Sequence, residues 1–167
     1  MGRNSNGLDV VKIRLVKERA PQAYRLANTP EAAVDAIKKE LSRYDREVLC
    51  VLNVRTDGSM INMNIVSIGT INASLCSPRD VFKSSILSNA AAIILFHNHP
   101  SGRLDPSQDD YEITRRLESC GKLLDIPLLD HLIVSSGPMP GYYSFKEHGE
   151  LNQGSFNRFL KEEDLER

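Results

Sequence analysis

The sequence predicts an α/β domain, a mixed β-sheet sandwiched by helices. Two observations carry this. Apolar runs of strand length alternate along the chain with stretches of helical periodicity. In addition, Ala90-Ala91-Ala92-Ile93-Ile94-Leu95-Phe96 contains no polar residue, as expected of a central strand covered on both faces.

The elements follow in order. Residues 1–8 are polar and read as disordered. Val10 to Val16 reads as a short strand with basic residues between apolar ones. Thr29-Pro30 is a helix start, a capping hydroxyl followed by proline at the first helical position; Val34, Ile37 and Leu41 mark the buried face of a helix running to about Tyr44. Glu47 heads the apolar run Val48-Leu49-Cys50-Val51-Leu52-Asn53-Val54, and Asp57-Gly58 turns the chain into a returning strand over residues 60–68. Ser77-Pro78-Arg79-Asp80 has the capping-box pattern and opens a helix whose stripe is Val81, Phe82, Ile86 and Leu87. After the apolar strand, Ser107 starts a helix carrying Ile113, Leu117, Leu123 and Leu124, with a break expected near Gly121. Residues 128–134 form another strand. Ser144-Phe145-Lys146-Glu147 repeats the capping-box pattern before Gly149, and Phe156, Phe159 and Leu160 lie in a last segment that is helical or frayed.

These boundaries divide the 167 residues into an N-terminal extension (1–28), one domain (29–150) and a C-terminal tail (151–167). The extension is basic and the tail acidic, which reads first as solvated surface. Net charge is −1, so no global basic field points to nucleic acid. Cys50, Cys76 and Cys120 are scattered and show no C-x-x-C, which fits reduced thiols in the cytoplasm. No secretory leader is apparent and no apolar stretch is long enough to span a membrane, so a cytoplasmic location and no membrane partner are expected.

The chemistry lies at His97-Asn98-His99-Pro100. Alternate residues of a strand share a face, so the two imidazoles converge while Asn98 faces away, and Pro100 places them at the strand's end. Two imidazoles and a carboxylate form a catalytic zinc set with a position left for water. Asp110, in the first turn of the following helix, supplies a carboxylate. Two plainer readings stand beside this one: the histidines as a surface turn, and Asp110 as a helix cap, which does not exclude a ligand role. Asp109 competes with Asp110 but points about 100° round the helix. His131 either supports such a site or faces its substrate, although a structural role is the plainer reading.

His97-x-His99-Pro100, six residues, then Ser107-x-x-Asp110 resembles the JAMM motif of MPN/JAB metalloproteases. Ser67-x-Gly69-Thr70, Pro78-Arg79-Asp80-Val81-Phe82-Lys83, His97-Asn98-His99-Pro100-Ser101-Gly102 and Leu129-Asp130-His131-Leu132-Ile133-Val134 resemble blocks of the RadC family, over about residues 45–149. The resemblance implies the MPN/JAB sandwich, similar to the cytidine deaminase core. It implies one zinc ion per chain on His97, His99 and Asp110, with Glu47 as general base and then general acid and Ser107 beside the oxyanion. The implied reaction is hydrolysis of a peptide or isopeptide bond, and the implied partner a peptide or protein. Asn98 departs from the Ser or Thr that eukaryotic deubiquitinating relatives carry there. The residues before about 45 show no helix-hairpin-helix of the kind longer RadC proteins bear, so the resemblance is to the catalytic domain. The alternative is a DNA-associated accessory module that keeps the fold with little catalysis. An HNH nuclease is excluded because its motif residues are spread over a ββα unit, and a zinc deaminase because P-C-x-x-C is missing.

Overall fold

The computed structural model describes residues 11–18, 26–69, 76–135 and 141–151. Apolar runs of strand length build a five-stranded mixed sheet. Its strands are β1 (Val48–Val54), β2 (Met60–Ile68), β3 (Ala92–His99), β4 (Leu128–Ser135) and β5 (Tyr142–Ser144), in the order β2-β1-β3-β4-β5. Only β3 and β4 run parallel, joined by the crossover helix α3 (Gln108–Leu124). Helices α1 (Pro30–Leu41) and α2 (Pro78–Leu87) complete the layers.

Because neighbouring side chains of a strand point to opposite faces, the continuous apolar run of β1 serves two cores. Val48, Cys50, Leu52 and Val54 pack with Ala33, Ile37 and Leu41 of α1. Leu49 and Val51 pack with Val81 and Phe82 of α2 and Ile113 and Leu117 of α3. In β3, Ile93 and Leu95 face α2 and α3, while Ile94 and Phe96 face α1. This parity carries into the strand's last turnless residues, and it sends His97 and His99 to the α3 side and Asn98 to the α1 side.

Several expectations are corrected. Residues 11–18 form no strand: Val11, Ile13 and Val16 are each at least 70% exposed, and no strand among the described residues offers them a ladder. The first helix stops at Leu41, with tight turns returning Arg43 and Tyr44 to Glu40 and Leu41. Ser77 occupies the N-cap of α2 without a side-chain cap bond, and the buried face of that helix is Val81, Phe82, Ser84 and Ser85, leaving Ile86 exposed. Helix α3 runs unbroken through Gly121 and ends on Asp125 at φ 56, which leaves Leu123 and Leu124 exposed. Residues 145–149 are turns and not a helix, although Glu147 N does donate to Ser144 Oγ at 3.0 Å. The expectations for residues 1–8, Thr70 and the segment after 151 lie outside the described residues.

Gly121 is needed for proximity. A Cβ there would stand 2.6 Å from the carbonyl oxygen of Ile126, where the chain turns back toward β4. Gly121→Ala is expected to lower stability by about 2 kcal/mol, as overpacking against backbone does, read from the urea midpoint of the purified protein. Asp130 pins the far end of β4: its carboxylate accepts from Ser144 Oγ at 2.6 Å and from Lys146 N at 3.0 Å. Burial pushes its carboxyl up to about 6 against the opposing effect of those bonds. No helix among the described residues is long and apolar enough to cross a membrane.

Candidate metal centre

β3 is interior to the sheet, so its end delivers His97 nearly buried at 3% exposure, with His99 at the rim. Beyond Pro100 the backbone reverses: Gly102 N donates to His99 O at 3.0 Å, and Gly102 takes φ 79, a conformation that favours glycine. The return places the Arg103 carbonyl 2.8 Å from His99 Nδ1. A carbonyl only accepts, so Nδ1 carries the proton and His99 Nε2 holds a lone pair. That Nε2 lies 3.7 Å from Asp110 Oδ2.

Asp110 reaches the same point from the first turn of α3. The helix opens with a complete capping box: Asp110 N donates to Ser107 Oγ at 3.2 Å, and Ser107 N donates to Asp110 Oδ2 at 2.7 Å. Ser107 Oγ also donates to Oδ2 at 2.5 Å, and Oδ1 lies 2.7 Å from His97 Nδ1. The capping reading of Asp110 is thus present in the structure, and it coexists with placement beside both histidines. Burial alone would raise the Asp110 carboxyl, but the bonds from His97 and Ser107, with the His99 imidazole close by, prevail and hold it well below the usual carboxylate range. The Asp110 contact in turn raises the basicity of His99.

His131, on β4, stands behind His97 on the same face of the sheet, fully buried and stacked on Phe145 at 4.8 Å. Thr114 Oγ1 donates to Asp110 O at 2.6 Å, so it accepts from His131 Nδ1 at 2.7 Å. The remaining lone pair of His131 is on Nε2. By the same reasoning His97 donates through Nδ1 to the ionised Asp110. His97 Nε2 and His131 Nε2 are both buried with no hydrogen-bond partner among the described residues. One ligand atom from each of His97, Asp110 and His131 lies within 4.8 Å of the others. Burial lowers the His131 imidazole to about 3, reinforced by His97, so it stays neutral and able to act as a ligand.

Glu47, immediately before β1, lines an open cleft together with His97, His99, Arg103, Asp105 and Ser107. The protein-family comparison then decides the class. A family model for the RadC-like JAB domain matches residues 27–150. The chain belongs to that family. It is 40% identical over 124 residues to a UPF0758 protein of Rubrobacter xylanophilus, covering 74% of this chain and 53% of the relative. A UPF0758 protein of Syntrophomonas wolfei is 42% identical over 132 residues (77% and 55%), and one of Thermotoga maritima 40% over 131 (75% and 58%). The chain therefore spans little more than half the length of these relatives.

The RadC-like domain gathers the sequence-predicted residues at one place: His97, His99 and Asp110 meet, and Glu47 and Ser107 share their cleft. It also adds residues. His131, for which a structural role was the plainer sequence reading, stands in the metal-capable cluster with His97 and Asp110. Thr114, four residues after Asp110 on the same helix face, ties Asp110 to His131; its i, i+4 spacing was the available signal. Asn98 faces away as predicted, yet it is fully buried and hydrogen-bonded beside Glu47.

The donor set suits a small, borderline-soft cation. Its imidazole lone pairs and ionised carboxylate are zinc ligand types. Ligand atoms on a tetrahedral zinc with bonds of 2.0–2.2 Å stand about 3.3–3.6 Å apart, close to the separation between His99 and Asp110.

Proposed function

We propose that this domain is a zinc-dependent hydrolase of the JAMM type that cleaves a peptide or isopeptide bond in a peptide or protein. The observation that carries the proposal is the buried His97 Nε2, which has no hydrogen-bond partner among the described residues and sits beside an ionised Asp110, with His99 at the cleft wall. A buried imidazole lone pair left without a partner is costly, and a cation offsets that cost. His97, His99 and Asp110 would hold the ion, with His131 behind them. Zinc supplies the Lewis acidity that makes water a competent nucleophile near pH 7. Glu47 takes the proton as the carbonyl is attacked and returns it to the leaving amine. Ser107, turning its hydroxyl from Asp110 toward the cleft, supports the developing negative charge.

Metal analysis of the purified protein is expected to give about one zinc per chain, as for a three-ligand catalytic site. Because protons compete for the imidazoles, affinity should fall at least about tenfold between pH 7 and pH 5.5. Protein that arrives without metal and takes up no added zinc would overturn the reading. A DNA-associated role is favoured by one observation, the exposed segment 11–18 with Lys12, Arg14 and Lys17. A gel shift at physiological salt, with and without residues 1–25, tests it: only binding that disappears with the segment supports it.

A further inference from the structure

The amide of Asn98 makes two buried hydrogen bonds, both to backbone about fifty positions earlier in the chain. Its Oδ1 accepts from Val48 N at 2.5 Å and its Nδ2 donates to Arg46 O at 3.0 Å. Those two groups belong to the peptide units on either side of the Glu47 Cα. One side chain thereby fixes both torsions of Glu47. From the opposite side, Gly69 N donates to Glu47 O at 2.8 Å, so the unit between Glu47 and Val48 is held at both its edges. The Gly69 bond continues the β1–β2 register one residue beyond Val48 and Ile68, whereas the two Asn98 bonds come from a side chain and belong to no ladder; Glu47 itself precedes the strand and lines the cleft.

We propose that Asn98 is the positioning residue for Glu47, locking that carboxylate to the strand that carries His97 and His99. This rests on the hydrolase reading for its purpose, but the clamp stands on the contacts alone. The chemistry requires an amide. Alanine provides neither bond, and aspartate accepts from Val48 but has no donor for Arg46. Because Asn98 sits between the two histidines on β3, a shift of that strand moves the metal ligands and the base together. Mutual placement of this kind is what proton transfer at a metal centre demands, since small displacements reduce rate steeply.

The test uses Asn98→Ala and the near-isosteric Asn98→Asp, with Glu47→Gln as reference. Amide hydrogen exchange reads the clamp without metal. Val48 should exchange at least about tenfold faster in Asn98→Ala, while Cys50 and Leu52 keep wild-type protection. Cobalt(II) added to metal-free protein reads the consequence. Both Asn98 variants should still bind it, and both should move the pH midpoint of its visible spectrum in the direction Glu47→Gln does. Combined with Glu47→Gln they should add nothing, because they act through the same carboxylate. Unchanged Val48 exchange in Asn98→Ala, a wild-type cobalt midpoint in both variants, or full additivity with Glu47→Gln overturns the proposal. Wild-type protein that binds no cobalt while Val48 exchange responds overturns the hydrolase reading and leaves the clamp standing.

Discussion

Asp110→Ala is expected to lose metal and to destabilise the metal-free protein by about 3 kcal/mol, from a lost cap and a broken buried network. The carboxylate is 1% exposed and has two tasks at once. It accepts from Ser107 N and Oγ at the start of α3, and its other oxygen accepts from His97 Nδ1. Removing it orphans the buried His97 Nδ1 donor and leaves the Ser107 donors at the start of α3 without their acceptor. Loss of a residue that merely orients a ligand weakens metal binding about 10–100-fold, so loss of Asp110 itself should exceed that. The pH dependence has a definite sign. The Asp110 carboxyl is held below its ordinary 3.8 when folded. Its stabilisation is therefore full above about pH 4 and disappears as the pH falls through the lower folded value. Urea denaturation of metal-free protein should show the gap between wild type and Asp110→Ala narrowing from pH 6 toward pH 2. A gap that stays constant would mean that the carboxylate charge contributes nothing to the fold.

What the sequence made legible depended on local periodicity. The apolar run Val48–Val54 and the all-apolar run before His97 define a central sheet, and a spacing of two on a strand puts His97 and His99 on one face. Ser107-x-x-Asp110 reads as a helix start, and it is one. Features set by tertiary contact were not legible. Leu123 and Leu124 look like core residues, but they fall off the buried face of α3, which is made by Asp110, Ile113, Thr114, Leu117 and Gly121, and stand exposed. Gly121 looks like a helix end, whereas it is the point where Ile126 must pass close by. Residues 11–18 have strand composition and no strand partner among the described residues. Strand parity shows only which way Asn98 faces, and nothing local reveals that it meets the peptide units around Glu47. His131 came to the metal cluster through β3–β4 pairing, which places it behind Leu95 and His97.

Glu47→Gln is expected to keep its metal and its stability, the latter within about 0.5 kcal/mol, while turnover on the true substrate falls about 10²–10⁴-fold. The fold holds this residue by its backbone, through Gly69 and Asn98, and glutamine keeps every one of those bonds. What glutamine cannot do is accept the proton of the attacking water. Substrate should therefore bind and remain, so the variant serves as a trap whose contents mass spectrometry can identify. His97→Ala provides the contrast: it should lose metal and activity together and trap nothing that depends on the ion. Full activity of Glu47→Gln with metal bound would remove Glu47 from the reaction and leave the carboxylate-lined cleft without its base. Loss of metal in Glu47→Gln would instead make Glu47 part of the ion's own support.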